Sequence, residues 1–285
     1  MKNINEMMIT IENRKIRLFI FFAIMMILSL GIYSSCLSDL IVSVLHREGS
    51  SHGVFVPFIS LFLLWKRREE IKKLEPAFAL LPGSIIVIMS LLMLFIAGDN
   101  TMNALPALSF FLMMAGVVMT TFGKNIFKKV CFPLLFLVSM IPLPTSIYTQ
   151  IAEWMRSVST AGSIWIAQLC GVPLSREGYL INFPDINLFV STGCSGIRYL
   201  ISYLVFGFAY AFIFKKTIKS RILVIIATIP ISVIAGVIRL GVIFISAYYI
   251  GAFMAGPRVH ILLSWFVFVG ILAGLIVTDR KLSTS

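Results

Sequence analysis

Long apolar runs alternate with short polar segments along nearly the whole chain. The first extends from about Leu18 to Leu37, after Arg14, Lys15 and Arg17. A polar stretch, Ser38 to His52, precedes a shorter run from Gly53 to Trp65 that ends in Lys66-Arg67-Arg68. Leu80 to Ala97 and Met102 to Thr121 follow, divided by the turn signal Gly98-Asp99-Asn100. A fifth run begins after Lys124, Lys128 and Lys129 and stops at Pro142-Leu143-Pro144. Three more run from about Cys194 to Phe214, from Ile222 into the 240s, and from about Ile261 to Val277. A helix needs about 20 apolar residues to cross roughly 30 Å of hydrocarbon, so the pattern predicts an all-α polytopic membrane protein of about eight spans.

Residues 145–193 break the pattern. Ile147 to Leu169 carries Gln150, Glu153 and Arg156 and suits an interfacial amphipathic helix better than a span. Val172 to Val190 is rich in β-formers, with turn signals at Arg176-Glu177-Gly178 and Asn182-Phe183-Pro184-Asp185. It predicts a small hairpin or two short strands capping the bundle. The reading is one membrane-embedded domain over 1–285, with an extracytoplasmic insert at about 145–193.

Composition agrees: 59% of residues are hydrophobic, only 13% are charged, and mean hydropathy is +0.99. The net charge of +12 would raise the question of nucleic acid in a soluble chain. Here lysine and arginine sit in short loops, so anionic lipid headgroups suffice as partners and no nucleic acid is expected. The basic start resembles that of a signal peptide, but further spans follow, and an uncleaved signal anchor is expected. Cys36, Cys131, Cys170 and Cys194 show no metal-ligand spacing, so neither metal nor cofactor is expected.

Charge also orients the chain. With both termini cytoplasmic, the inner segments hold Lys2, Arg14, Lys15 and Arg17, then the basic loops at 66–73, 124–129 and 215–221, and Arg280 and Lys281. Of the 24 basic residues only Arg47, Arg156, Arg176, Arg198, Arg239 and Arg258 remain outside these segments. The positive-inside rule then favours eight spans.

That orientation brings three chemically capable residues to one depth. Cys194 begins a span that enters from outside, and so does the span that His260 precedes. Arg239 lies about 25 Å beyond Ile222 at ~1.5 Å per residue, again near the outer boundary. A membrane cysteine is usually a small apolar filler, which suits Cys36, Cys131 and Cys170. Cys194 differs: glycines flank its neighbourhood, and a helix start with nearby cations favours thiolate. Arginine within an apolar helix is usually functional or paired, and histidine suits proton shuttling near neutral pH. Together they can perform acyl transfer, with Cys194 attacking a carbonyl, His260 moving the proton and Arg239 stabilising the oxyanion. Arg198 competes with Arg239 for the last role and His52 with His260, and spacing does not decide between them. Ser195 and Gly196 are supporting candidates, the glycines leaving room for a second backbone. Cys170 is the candidate disulfide partner of Cys194.

Several segments resemble the exosortase/archaeosortase family. They are Gly171-Val172-Pro173-Leu174-Ser175-Arg176-Glu177-Gly178, then Val190 to Arg198 with Cys-Ser-Gly-Ile-Arg, and Ser51-His52-Gly53 before a run ending Leu-Leu-Trp-Lys-Arg-Arg. Ile-Pro-Leu-Pro at 141–144, Arg239 in the next-to-last span and His260 before the last complete an ordered set over roughly residues 50–275. The resemblance implies a catalytic cysteine, arginine and histidine at Cys194, Arg239 and His260. The family commonly has asparagine three residues before this arginine, where this chain has Gly236. It also implies a bacterial or archaeal cytoplasmic-membrane cysteine protease/transpeptidase with its active site outside. Its substrates would be secreted proteins whose C-terminal sorting signal joins a short motif such as Pro-Glu-Pro to a membrane helix and a basic tail. The competing readings are a transporter or channel using Arg239 and His260, and a non-catalytic component of envelope polysaccharide assembly. Oligomeric state is not readable from the sequence.

Overall fold

The computed structural model describes residues 2–46, 51–98, 104–215, 217–256, 259, 262–267, 269, 270 and 273. The chain divides into two compact units, Met1–Pro144 and Thr145–Ser285, so the boundary falls at the proline break where the polar insert begins.

The first unit holds helices α1 (Lys2–Ile32), α2 (Ser34–His46), α3 (Val56–Lys66), α4 (Arg68–Lys72), α5 (Leu80–Ala97) and α6 (Leu105–Leu137). α1 and α2 form one apolar path bent by 71°. The bend falls among Gly31, Ser34 and Ser35, residues common at sharp kinks, and Ser29 Oγ donates back to the Met25 carbonyl at 2.7 Å. The buried Tyr33 at the bend packs on Phe110 and donates to the Ser90 carbonyl at 3.4 Å. Its neighbours Leu40, Val44, Phe111, Met113 and Val117 complete the apolar core.

α5 and α6 approach closely because Gly83 has no side chain; a Cβ there would lie 2.6 Å from Thr120 Cα. Small residues allow this contact between apolar helices, where van der Waals packing rather than water exclusion drives association. α6 is interrupted at Gly123, whose φ of 80° and ψ of 177° are not helical. Glycine is needed there twice over, since a Cβ would also meet the Ala77 carbonyl oxygen at 2.3 Å. Beyond the break, Ser60 Oγ donates to the Pro133 carbonyl at 2.8 Å and Arg67 Nη1 to that of Lys129 at 3.0 Å. α3 therefore runs antiparallel to the second half of α6.

The second unit holds α7 (Thr145–Leu169), strands β1 (Ser175–Glu177), β2 (Leu180–Asn182) and β3 (Asn187–Phe189), and helices α8 (Ile197–Phe214) and α9 (Ile218–Tyr249). The strands form an antiparallel sheet in the order β1-β2-β3, with Arg176 opposite Ile181 and Ile181 opposite Leu188. Ile181 turns inward and joins Ala167 of α7, Val172, Phe183, Val190, and Leu240, Ile243 and Phe244 of α9 in one core. The small sheet is thus fastened to two helices and delivers the chain at Val190 to the start of α8.

The span reading requires adjustment. Among the described residues four helical stretches are long and apolar enough to cross a membrane, or five if the bent pair is one span. The expected second span corresponds to α3, whose eleven residues reach only about 16 Å. The expected fourth and fifth fall within the single interrupted helix α6. The expected eighth lies largely outside the described residues, although 262–267 are helical. α7, expected as an amphipathic helix, buries Ala152, Met155, Arg156, Ser159, Thr160 and Ser163.

Candidate active site

Cys194 ends a short 3₁₀ turn, Thr192–Cys194, three residues before α8 begins, rather than lying on the helix's first turn as the sequence suggested. The reason is Gly196, whose φ of 83° and ψ of 1° put a left-handed residue at the helix entry. Ser195 is buried and its Oγ accepts from the Ile197 backbone N–H at 3.3 Å. It serves the turn's own backbone. The Cys194 backbone N–H donates to the Ser191 carbonyl at 2.9 Å, and Ser191 Oγ stands 3.4 Å from Cys194 Sγ. Sequence reading did not single out Ser191, although its place three residues before the cysteine in a Gly-rich turn is the available signal.

Arg239 reaches this turn from α9. It is 3% exposed, yet each acceptor it meets is neutral: Nη2 donates to the Cys194 carbonyl at 2.8 Å, and Nη1 to Tyr199 Oη at 2.8 Å and Ser264 Oγ at 3.4 Å. Its guanidinium carbon lies 4.9 Å from the Tyr199 ring centroid. Nε is buried with no hydrogen-bond partner among the described residues. A desolvated cation held by dipoles keeps a strong local field, because no carboxylate among the described residues cancels it.

α8 and α9 come close enough for this contact through two glycines. A Cβ on Gly196 would be 3.6 Å from Gly236 Cα, and a Cβ on Gly236 would be 2.7 Å from Ser159 Oγ of α7. Gly236, the position where an asparagine was expected by resemblance, is therefore the point at which three helices meet. Ser159 Oγ is buried there without a hydrogen-bond partner among the described residues.

Gly193, Gly196, Arg198, Tyr199, Arg239, Ser264 and Trp265 line a cavity of about 200 Å³. That is the space of roughly seven waters at ~30 Å³ each, enough for a peptide unit or a side chain. Arg198 is exposed at its wall, whereas Arg239 is buried and bonded to Cys194. The structure brings together Cys194, Arg239, Arg198, Ser195 and Gly196. His260 lies outside the described residues. His52 belongs to the first unit, where it is buried with Nε2 3.2 Å from the Ser139 carbonyl, which accepts. Cys170 is exposed at the end of α7 and forms no disulfide with Cys194. Among the described residues no group of three or more His, Cys, Asp or Glu gathers as a metal site.

Arg156 is a second buried arginine at the same turn. Its Nε donates to the Val190 carbonyl at 2.7 Å, and Nη2 donates to the same oxygen. Sequence reading placed it on the polar face of an amphipathic helix, and nothing in the sequence marks a main-chain acceptor 34 residues away.

Chemically, the arrangement offers a half-buried thiol beside a hydroxyl, a buried guanidinium and a small cavity with room for another backbone. A family model described as transmembrane exosortase matches residues 44–277, most of the chain. No match is found among curated proteins or solved structures.

Proposed function

The chain belongs to the transmembrane exosortase family, a multi-pass membrane family with a sorting function, and from that premise we propose that it is a cysteine transpeptidase/protease acting on C-terminal sorting signals of secreted proteins. The observation that carries this reading is the bond from Arg239 Nη2 to the Cys194 carbonyl, at the edge of a cavity lined by both glycines of the turn.

In the proposed reaction the Cys194 thiolate adds to the carbonyl carbon of the scissile peptide bond, and that oxygen takes the negative charge. Arg239, whose Nε has no acceptor among the described residues, is the donor for that oxyanion. Collapse breaks the C–N bond, and the departing amine takes a proton from His260, leaving a thioester on Cys194. An incoming amine or water, deprotonated by His260, then attacks the thioester and releases the thiolate. A substrate helix held in the membrane would present the motif preceding it to the turn, so anchoring supplies much of the positioning. This requires Cys194 at the outer face, the side on which the charge distribution favours placing it.

The deciding experiment follows C-terminal processing of secreted proteins that end in a short motif, an apolar helix and a basic cluster. Cys194→Ala is expected to abolish processing; unchanged processing refutes the reading. A membrane-impermeant maleimide applied to intact cells is expected to label Cys194 and spare Cys131, and the reverse pattern overturns the orientation.

A further inference from the structure

Arg156 has no part in the chemistry above, yet it is tied down at every nitrogen. It is 7% exposed. Nε and Nη2 both donate to the Val190 carbonyl, and Nη1 reaches the two carboxylate oxygens of Glu153 at 3.2 and 3.4 Å. The guanidinium carbon stands 3.5 Å from the Tyr179 ring centroid and 5.2 Å from that of Phe189. Tyr179 lies in the turn between β1 and β2, and Phe189 is in β3, so one side chain of α7 grips two parts of the sheet and its exit.

Val190 immediately precedes Ser191, whose carbonyl accepts the Cys194 N–H and whose hydroxyl stands 3.4 Å from Cys194 Sγ. Ser191 and Thr192 are exposed, and within the turn backbone bonds run from Cys194 to Ser191 and from Ser195 to Thr192. Its ends are held from outside: the Val190 carbonyl by Arg156 of α7 and the Cys194 carbonyl by Arg239 of α9. A planar guanidinium can give two donors to one oxygen and a third to a carboxylate while stacking on a ring; an ammonium cannot.

We propose that Arg156 is a positioning residue: by clamping the Val190 carbonyl to α7 it holds the Ser191–Cys194 turn so that the Ser191 hydroxyl reaches the Cys194 sulfur. The proposal rests on Cys194 being the nucleophile of the reaction above. A hydroxyl donating to the sulfur stabilises the thiolate that both attack and alkylation use. Releasing Val190 lets Ser191 drift, and a displacement of ~1 Å at a reacting centre can cost about 10²-fold in rate.

The test uses the full chain in lipid nanodiscs, with Arg156→Met and Arg156→Lys. Iodoacetamide alkylation of Cys194 and Cys170 is followed peptide by peptide by mass spectrometry, beside processing kinetics. Cys170, exposed on the loop that follows α7, reports on the unit as a whole. Arg156→Met is expected to slow Cys194 alkylation by about tenfold, with Cys170 unchanged, and to lower kcat by about 10²-fold at constant KM. Arg156→Lys, keeping charge and one donor, should recover part of both. Unchanged or faster Cys194 alkylation overturns the proposal. So does a parallel change at Cys170 in both variants, which marks Arg156 as merely structural, or a KM effect alone, which marks substrate contact. If Cys194→Ala leaves processing intact, the catalytic reading fails by itself, and the alkylation rates still judge Arg156.

Discussion

In the first unit the buried hydroxyls of Thr120 and Thr121 turn back on their own helix, each donating at 2.8 Å to a carbonyl one turn earlier. The core beside them is apolar, and Lys129 pairs with the exposed Glu70 at 2.6 Å at the edge of the unit. In the second unit Arg156 and Arg239 are buried, and both reach out of their helices to main-chain oxygens of one turn. Returning a hydroxyl to its own helix satisfies it with no bearing on neighbours. Sending a guanidinium to a distant carbonyl ties two elements together. The contrast separates hydroxyls that serve their own helix from guanidiniums that fix a short piece of chain.

Removing each unit's interior arginine contact should break or sharpen that contrast most strongly. Arg239→Met is expected to lower processing by about 10²–10³-fold, the range for loss of one oxyanion donor. Arg67→Met removes one contact to the Lys129 carbonyl from a half-buried side chain and should change processing by less than about twofold. Equal losses in the two variants would erase the distinction. Next come the glycine contacts, read by thermal unfolding in detergent. Gly83→Ala is expected to destabilise by about 3 kcal/mol, because its Cβ would meet Thr120 backbone atoms at 2.6 Å and neither helix can yield locally. Gly236→Ala should cost about 1–2 kcal/mol, because its obstacle is the Ser159 hydroxyl. Ser159→Ala should relieve most of that, since the next contacts stand at 3.6 and 3.8 Å. Failure of the relief would mean the three helices meet differently.

The smallest effect belongs to Glu70. Its hydrogen bond from Lys129, and then the charge of that ammonium, hold its carboxyl below the ordinary value of 4.5. A depressed carboxylate contributes its stability above the unfolded value, and the contribution disappears as pH falls through the folded one. The group is fully exposed, so Glu70→Gln should lower the melting temperature at pH 7 only slightly, and the two proteins should converge on acidification below about pH 4.5.

Part of the candidate site's placement is legible in the sequence. Apolar runs marked α5, α8 and α9, and a glycine-flanked cysteine before an apolar helix, with an arginine deep in the next, pointed to the Cys194–Arg239 contact. The bend at Tyr33 and the joining of the fourth and fifth runs in one interrupted helix α6 are not legible, because apolar composition reports burial in lipid or protein alike and carries no direction. Cys194 was assigned to a helical turn because periodicity does not reveal a left-handed residue; Gly196 looked like one more small neighbour. The role of Arg156 is hidden in the sequence for a more general reason. Charge on an amphipathic helix suggests exposure, and its acceptor is a backbone oxygen, which every residue possesses and none advertises.

The doubly held turn has a consequence for what the chain tolerates in length. Val190 and Cys194 are separated by three residues, and each residue spans at most ~3.3–3.6 Å. With one carbonyl fastened to α7 and the other to α9, the segment between them acts as a gauge block between two fixed jaws. Inserting or deleting one residue there must open one jaw, however well the newcomer suits a loop. Exposed loops usually accept such changes; this one, with Ser191 and Thr192 in full view of the surroundings, should accept substitutions in type and refuse them in number.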